Sequence, residues 1–135
     1  MKIMSACSTH RDAEKAVDAC CEELNIGNCH DLKWLLVFHT EGYDSSAILD
    51  KISGRAGHVP IQGGTSCLGV MSAEGFHSHE GSGMGILTIS DPDGSYGVGA
   101  SLIGDNPRQA AATAIEEALE DADRDGEIPT LVWIN

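Results

Sequence analysis

The segment at residues 61–72, IQGGTSCLGVMS, carries the residue types best suited to holding a small polar ligand. Glycines let a ligand approach the backbone closely, and in a turn their successive N–H groups can form a nest for an anion. The hydroxyls of Thr65 and Ser66 can donate or accept hydrogen bonds. We therefore expect this segment to bind a small ligand with a carboxylate. Its predicted binding residues are Gly63, Gly64, Thr65, Ser66, Cys67 and Gly69.

Two further residues join this predicted site because of where their strand ends. Residues 33–40 and 58–63 are predicted strands, and in open α/β sheets ligands bind at the carboxyl ends of strands. Thr40 is the last residue of the first of these strands, and Glu41 follows it directly. The alternative interpretation of the glycines is an ordinary tight exit from a strand.

The glycines match neither of the common phosphate-binding motifs. A P-loop requires a lysine after its glycines, and none follows here. Gly81, Gly83 and Gly85 alternate, but they precede a predicted strand rather than a helix, so they are not a dinucleotide fingerprint.

Cys67 and two histidines offer alternatives to simple ligand binding. A Cys67 thiolate could be a nucleophile, although acidic residues dominate this half of the chain and no partner histidine is evident. His77 and His79 alternate, so on a strand they would share a face and could begin a metal or haem-iron site. His39, near a strand end, fits a structural role equally well. We expect no catalytic residue, no enzyme activity and no bound metal, with haem as the alternative cofactor.

Composition narrows the function classes further. The chain has 135 residues, the size of one domain, and 41% of them are hydrophobic, enough for a core. The formal net charge of −13 repels phosphate backbones and anionic lipid, so we expect neither a nucleic-acid nor a membrane partner. Five cysteines, an odd number without metal-site spacing, fit reduced thiols in the cytoplasm.

The hydrophobic pattern predicts the element order β-α-β-α-β-β-β-α-β. This order indicates an α/β fold with a mixed β-sheet, helices packed on its faces and one inserted β-hairpin. The hairpin is assigned to 84–90 and 95–103, joined by the turn sequence DPDG. The other predicted strands are 2–7, 33–40, 58–63 and 130–134, and the predicted helices are 10–25, 44–55 and the segment that begins at Pro107.

Local sequence signals predict where helices begin and end, and where the backbone lets another group come close. Thr9 and Asn106 are predicted N-caps, and Gly27 is predicted to end the first helix. Pro60 places its strand at a sheet edge. The bare glycine face of 95–103 should let a helix, backbone or ligand come close.

The order of motifs resembles the N-terminal domain of the FIST family, the F-box and intracellular signal transduction proteins. The similarity covers STHRDAEKAVDACCEEL, KWLLVFHT, GGTSCLGVMS and NPRQAAATAIEEAL, and so essentially the whole chain. The family commonly has Gly-Cys-Ser-Thr-Ala-Gly-Glu in its glycine-rich turn. Here Gly64 takes the place of the small residue or cysteine, and Val70 that of the glutamate.

The resemblance implies a sensory domain of a signal-transduction protein that binds small ligands such as amino acids. It also implies a signalling output domain or protein as partner. Haem-based nitric oxide sensing, with a histidine ligand, is the alternative implied by some relatives. The family domain is longer, so we expect residues 1–135 to be a single domain truncated at its C-terminal end. Apolar surface beside 130–134 is then expected to favour a homodimer.

Overall fold

The apolar run in KWLLVFHT forms one of the two interior strands of a four-stranded sheet. The computed structural model describes residues 1–135 and divides them into two compact units, Met1–Pro92 and Asp93–Asn135. The sheet of the first unit has the order β1-β6-β2-β3. The strands in chain order are β1 (Lys2–Ser8), β2 (Leu32–Thr40), β3 (Ile61–Ser66), β4 (Val70–Ser72), β5 (Gly75–His77) and β6 (Met84–Ser90).

Strand directions make this a mixed sheet, which confirms the predicted α/β class. β6 lies antiparallel to both β1 and β2, with Ile86 opposite Val37 of β2. β3 runs parallel to β2, with Gly63 opposite Val37. β3 is an edge strand, as Pro60 indicated, and the Pro60 carbonyl accepts the Leu35 N–H at 3.0 Å.

The first helix, α1 (Ala13–Glu23), is shorter than predicted at both ends. Its N-cap is Asp12 rather than Thr9, because the Asp12 carboxylate accepts the Lys15 N–H at 3.0 Å. That hydrogen bond lowers the pKa of Asp12. The helix ends before Gly27, since Asn25 already adopts the left-handed conformation with φ of 54°.

The second helix, α2 (Ser45–Ala56), begins where the sequence predicted. Asp44 is its N-cap, and its carboxylate accepts the N–H groups of Ser46 at 2.9 Å and Ala47 at 3.4 Å. α2 is the connection between the parallel strands β2 and β3.

Ion pairs link α1 to α2 on the surface of the first unit. Lys51 contacts Asp18 at 2.9 Å and Glu14 at 3.2 Å, and Arg55 also pairs with Asp18. The Asp18 contact raises the pKa of Lys51, and the two cations lower the pKa of Asp18.

The core of the first unit is largely aliphatic. Side chains from α1, α2, β2 and β6 meet in one buried cluster. Burying each large apolar side chain contributes about 1.5–3 kcal/mol. The largest apolar side chains that are fully buried are Leu35, Ile48, Ile52, Met84, Ile86 and Val17.

The inserted hairpin is formed by different residues from those predicted. β4 and β5 pair antiparallel in a separate two-stranded sheet, with Met71 opposite Phe76. β6 pairs instead with β1 and β2, so the predicted hairpin of 84–90 with 95–103 is wrong.

In the second unit, residues 95–103 are extended but belong to no strand. They lie along α3 (Pro107–Asp121), whose N-cap is Asn106 as predicted. Two backbone N–H groups of this segment donate to helix carboxylates: Val98 to Asp121 at 2.9 Å and Ala100 to Glu117 at 3.2 Å. These two N–H groups therefore bond to carboxylates of α3, whereas in a β-sheet they would bond to a neighbouring strand.

The glycine face of this segment does admit a helix. A Cβ on Gly97 would meet the backbone of Ala118 and Ala122, and one on Gly99 that of Ala114 and Ala118. The close approach predicted from the bare face is confirmed, with α3 as the neighbour.

Residues 130–134 form no strand, so the predicted last strand is also wrong. The segment belongs to neither sheet, and the side chains of Leu131, Val132, Trp133 and Ile134 are exposed. Its apolar and β-branched residues favour an extended chain, but a strand also requires a hydrogen-bonded neighbour. None of the helices combines the length and apolar character needed to cross a membrane.

Candidate functional site

The carboxyl ends of β2 and β3 lie side by side because the two strands are parallel. Thr40 is opposite Ser66, and the Glu41 N–H donates to the Ser66 carbonyl at 3.2 Å. The two segments that the sequence singled out are therefore neighbours in space.

The glycine-rich segment is a strand rather than the predicted turn. Gly63 and Gly64 lie within β3, opposite Val37 and Phe38. Neither glycine has a positive φ, so they do not form the anion nest expected from the sequence. A Cβ at Gly63 would collide with the Val37 backbone, so this position requires glycine because β2 passes so close.

A cleft of about 250 Å³ opens between β2, β3 and the first turns of α2, and we call it the β3 cleft. One wall is apolar, and four of the lining residues have polar side chains: His39, Ser45, Gln62 and Thr65. The complete lining is Val37, His39, Ser45, Ile48, Leu49, Ile61, Gln62, Gly63, Gly64 and Thr65.

His39 is held at both ring nitrogens. Its Nδ1 lies 2.9 Å from the Thr40 carbonyl oxygen and its Nε2 lies 3.1 Å from the Ser45 hydroxyl. The ring is 5% exposed and sits 6.3 Å, between centroids, from the ring of Tyr43. Burial in turn raises the pKa of Tyr43, whose hydroxyl donates to the His10 carbonyl.

The other predicted site residues do not line the cleft. The Thr40 side chain is fully buried, and its hydroxyl accepts the Gly83 N–H at 3.1 Å. The Ser66 hydroxyl donates to the Gly69 carbonyl at 2.5 Å. Glu41 and Cys67 are exposed. Of the eight predicted residues, the cleft is lined by Gly63, Gly64 and Thr65.

Gly69 packs closely against the β4–β5 hairpin. A Cβ there would meet the Phe76 ring and the His77 carbonyl oxygen at 2.5 and 2.6 Å. A Cβ on Gly83 would likewise meet the His77 carbonyl at 2.8 Å. These two glycines allow close packing of the β4–β5 hairpin.

The two histidines considered for metal or haem lie at the end of this hairpin. His77 Nε2 is 2.7 Å from the Ser72 hydroxyl, and the backbone of His79 pairs with Ser82. No group of three or more His, Cys, Asp or Glu side chains is placed to hold a metal ion. A haem ligand among these histidines stays a prediction.

All five cysteines are free thiols, and they differ in environment. Burial raises the pKa of Cys20 to about 12 and also raises the pKa values of Cys7 and Cys21. These three thiols are therefore protonated at neutral pH. Cys20 and Cys21 act as small core residues, and Cys7 is half-buried. Cys29 contacts the Ser90 hydroxyl at 3.1 Å, and the exposed thiol is Cys67.

A second and larger cleft, of about 510 Å³, lies toward the other end of the sheet. No motif in the sequence indicated this second cleft. It is lined by residues of the 24–32 loop and by the adjoining ends of β1 and β6. Polar groups here bond to one another: Asn28 donates to Asn25 at 3.0 Å, and Cys29 contacts Ser90.

Comparisons with protein-family models, with curated proteins and with solved structures find no match. Membership of the FIST family stays a prediction from the order of motifs.

Proposed function

We propose that this chain is a small-ligand-binding sensory module, with its ligand in the β3 cleft. The observation that carries the proposal is the meeting of Gly63, Gly64 and Thr65 with His39 and Ser45 around one opening. Ligand sites in proteins are typically apolar concavities with a few placed polar groups, and this cleft has that character.

The size of the cleft favours a ligand no larger than an amino acid. Its volume of about 250 Å³ is at or below the usual range for ligand pockets. The apolar wall of Ile48, Leu49 and Ile61 would contact a side chain, and Thr65 and Ser45 would hydrogen-bond the polar end.

Charge favours a ligand that carries an ammonium group. The chain has a net charge of −13, and Glu41 is exposed at the end of β2 beside this region. An amino acid fits both features, since its ammonium would be attracted to the acidic surface and its carboxylate could accept from the Thr65 hydroxyl.

Signalling would follow from a difference in ligand affinity between two conformations. Binding shifts a conformational equilibrium only by the difference in affinity for its states. We propose a cytoplasmic role in which the occupied module acts on a signalling output domain or partner protein. Binding without catalytic turnover is sufficient for that role.

A thermal-shift screen of the standard amino acids, followed by calorimetry, tests the proposal. Leu49→Arg should abolish binding by filling the cleft, whereas Leu68→Arg, at an exposed position outside the lining, should not. Thr65→Ala should weaken binding up to about tenfold, the equivalent of one hydrogen bond. Equal affinity for the Leu49→Arg and Leu68→Arg variants would contradict the assignment of the site.

A further inference from the structure

We infer that Ser45 is a nucleophile activated by His39, and that it takes up an acyl group from a small activated ester. This inference goes beyond the proposed binding function, because it assigns covalent chemistry to a residue that binding requires only as a hydrogen-bond partner. It stands on the bonding of His39, the exposure of Ser45 and the shape of the adjoining wall.

The hydrogen bonds of His39 fix its tautomer. The Thr40 carbonyl can only accept, so Nδ1, 2.9 Å away, carries the proton of the neutral ring. Nε2 is then an acceptor, and the Ser45 hydroxyl at 3.1 Å donates to it. A serine that donates to an oriented imidazole is the general arrangement of a nucleophile and its base.

Burial keeps this arrangement in place and leaves the serine accessible. The His39 ring is 5% exposed, so the surrounding β2 and α2 restrict its rotation. Ser45 is exposed and lines the β3 cleft. Its hydroxyl oxygen can therefore meet a ligand while its proton points at His39.

The neighbouring wall defines the substrate class. Ile48, Leu49 and Ile61 line the same cleft and would contact a short apolar acyl chain. The cleft volume of about 250 Å³ limits that chain to a few carbons. A small ester of a short carboxylic acid fits these dimensions.

The reaction balances with the groups present. The Ser45 oxygen attacks the acyl carbon while its proton passes to His39 Nε2. The tetrahedral intermediate then expels the alcohol oxygen, which takes that proton from Nε2. The products are an O-acyl serine and a free alcohol, and His39 returns to its neutral state.

The N-terminus of α2 modulates the rate. Ser45 is the first residue of α2, where the helix dipole favours negative charge on the developing oxyanion. The Asp44 carboxylate, however, already binds the N–H groups of Ser46 and Ala47. We therefore expect slow, stoichiometric acylation.

The test is to incubate the protein with p-nitrophenyl acetate, follow release of p-nitrophenolate and map the acetyl group by peptide mass spectrometry. We expect acetylation at Ser45 and its loss in Ser45→Ala. Ser46→Ala is the matched control, because Ser46 is the adjacent exposed serine outside the cleft lining, and it should leave the rate unchanged. His39→Gln should slow acetylation about 100-fold, the usual effect of losing a general base.

Three results would overturn the inference. These are no acetyl group on Ser45, equal acetylation of Ser45 and Ser46, or an unchanged Ser45 rate in a folded His39→Gln variant. Circular dichroism checks folding, and His39→Asn removes the same base if the glutamine variant unfolds. Amino-acid binding is measured separately by calorimetry, so failure of acylation is distinguishable from failure of the proposed binding function.

Discussion

The two compact units of this chain use apolar residues in opposite ways. Met1–Pro92 buries a continuous cluster drawn from α1, α2 and the sheet. In Asp93–Asn135 the one buried apolar residue is Ala110, while Leu102 is 95% exposed and Ile128 94%. The second unit also carries nine acidic residues against two basic ones.

This difference shows what holds each unit together. In the first, hydrophobic burial and strand pairing between distant residues act together. In the second, one helix and an extended segment are joined by glycine contacts and by hydrogen bonds to carboxylates. We therefore expect mutations to affect the two units through different mechanisms and by different amounts.

Truncation of a large apolar side chain should show the largest difference in stability between the two units. Leu35→Ala, at a fully buried position of β2, should cost about 2–5 kcal/mol because it removes contacts and leaves a cavity. Leu102→Ala, at an exposed position, should change the free energy of unfolding by about 0.5 kcal/mol or less. Urea denaturation measures both. A similar loss of stability in both variants would mean that Leu102 is buried in solution, which would contradict the difference in burial between the two units.

Glycine replacement should distinguish close backbone contacts from open space. Gly63→Ala should destabilise the first unit by about 1–3 kcal/mol, because the new methyl group collides with Val37. Gly54→Ala, in α2 with open space around it, should stabilise by about 0.5–1 kcal/mol. Urea denaturation of the two variants should therefore give shifts of opposite sign. Shifts of the same sign would contradict the packing of β3 on β2.

Removal of a helix cap should affect α3 more widely than α2. Asp44→Ala and Asn106→Ala each remove a side-chain acceptor at a helix start, at a cost of about 1 kcal/mol. α2 is also anchored by buried Ile48 and Ile52, whereas α3 buries Ala110. Amide exchange should therefore rise over more of α3 than of α2. Equal spread of exchange in both helices would argue against weaker anchoring of α3.

Acid should produce the smallest effect, and it should act on the first unit. The pKa of Asp18 is lower in the folded chain than its ordinary 3.8, so its stabilising contribution is present above that value and is lost as pH falls through the folded pKa. Asp18→Asn should flatten the acid limb of stability below about pH 4. Asp50→Asn is the control, because Asp50 lies on α2 outside the ion pairs with α1. If wild type and Asp18→Asn lost stability identically in acid, these ion pairs would not contribute to the stability of the first unit.

Local sequence signals predicted those features that depend on residues close by in the sequence. Asp44 and Asn106 cap their helices as expected, and the apolar run of residues 33–40 lies in β2, one of the two interior strands. Residues 95–103 and 130–134 have strand composition, but their neighbours decide whether a ladder forms. The short strands β4 and β5 depend on pairing that three residues of sequence pattern do not reveal.

The site was predictable in part for the same reason. The glycine-rich segment was expected to form a turn that a ligand approaches, whereas it is a strand whose conformation depends on pairing with β2. The His39–Ser45 hydrogen bond was missed because it forms across the turn between β2 and α2. Two signals could have indicated it: Asp44 placed Ser45 at a helix start, and His39 lay one residue before the end of a strand.

The most direct test of the ligand site is an amide chemical-shift titration with a mixture of the standard amino acids. We predict saturable shifts at Gly63, Gly64 and Thr65 and at Ser45, with little change in the 24–32 loop that borders the second cleft. Shifts confined to the 24–32 loop, or no shifts at all, would contradict the assignment of the β3 cleft as the ligand site.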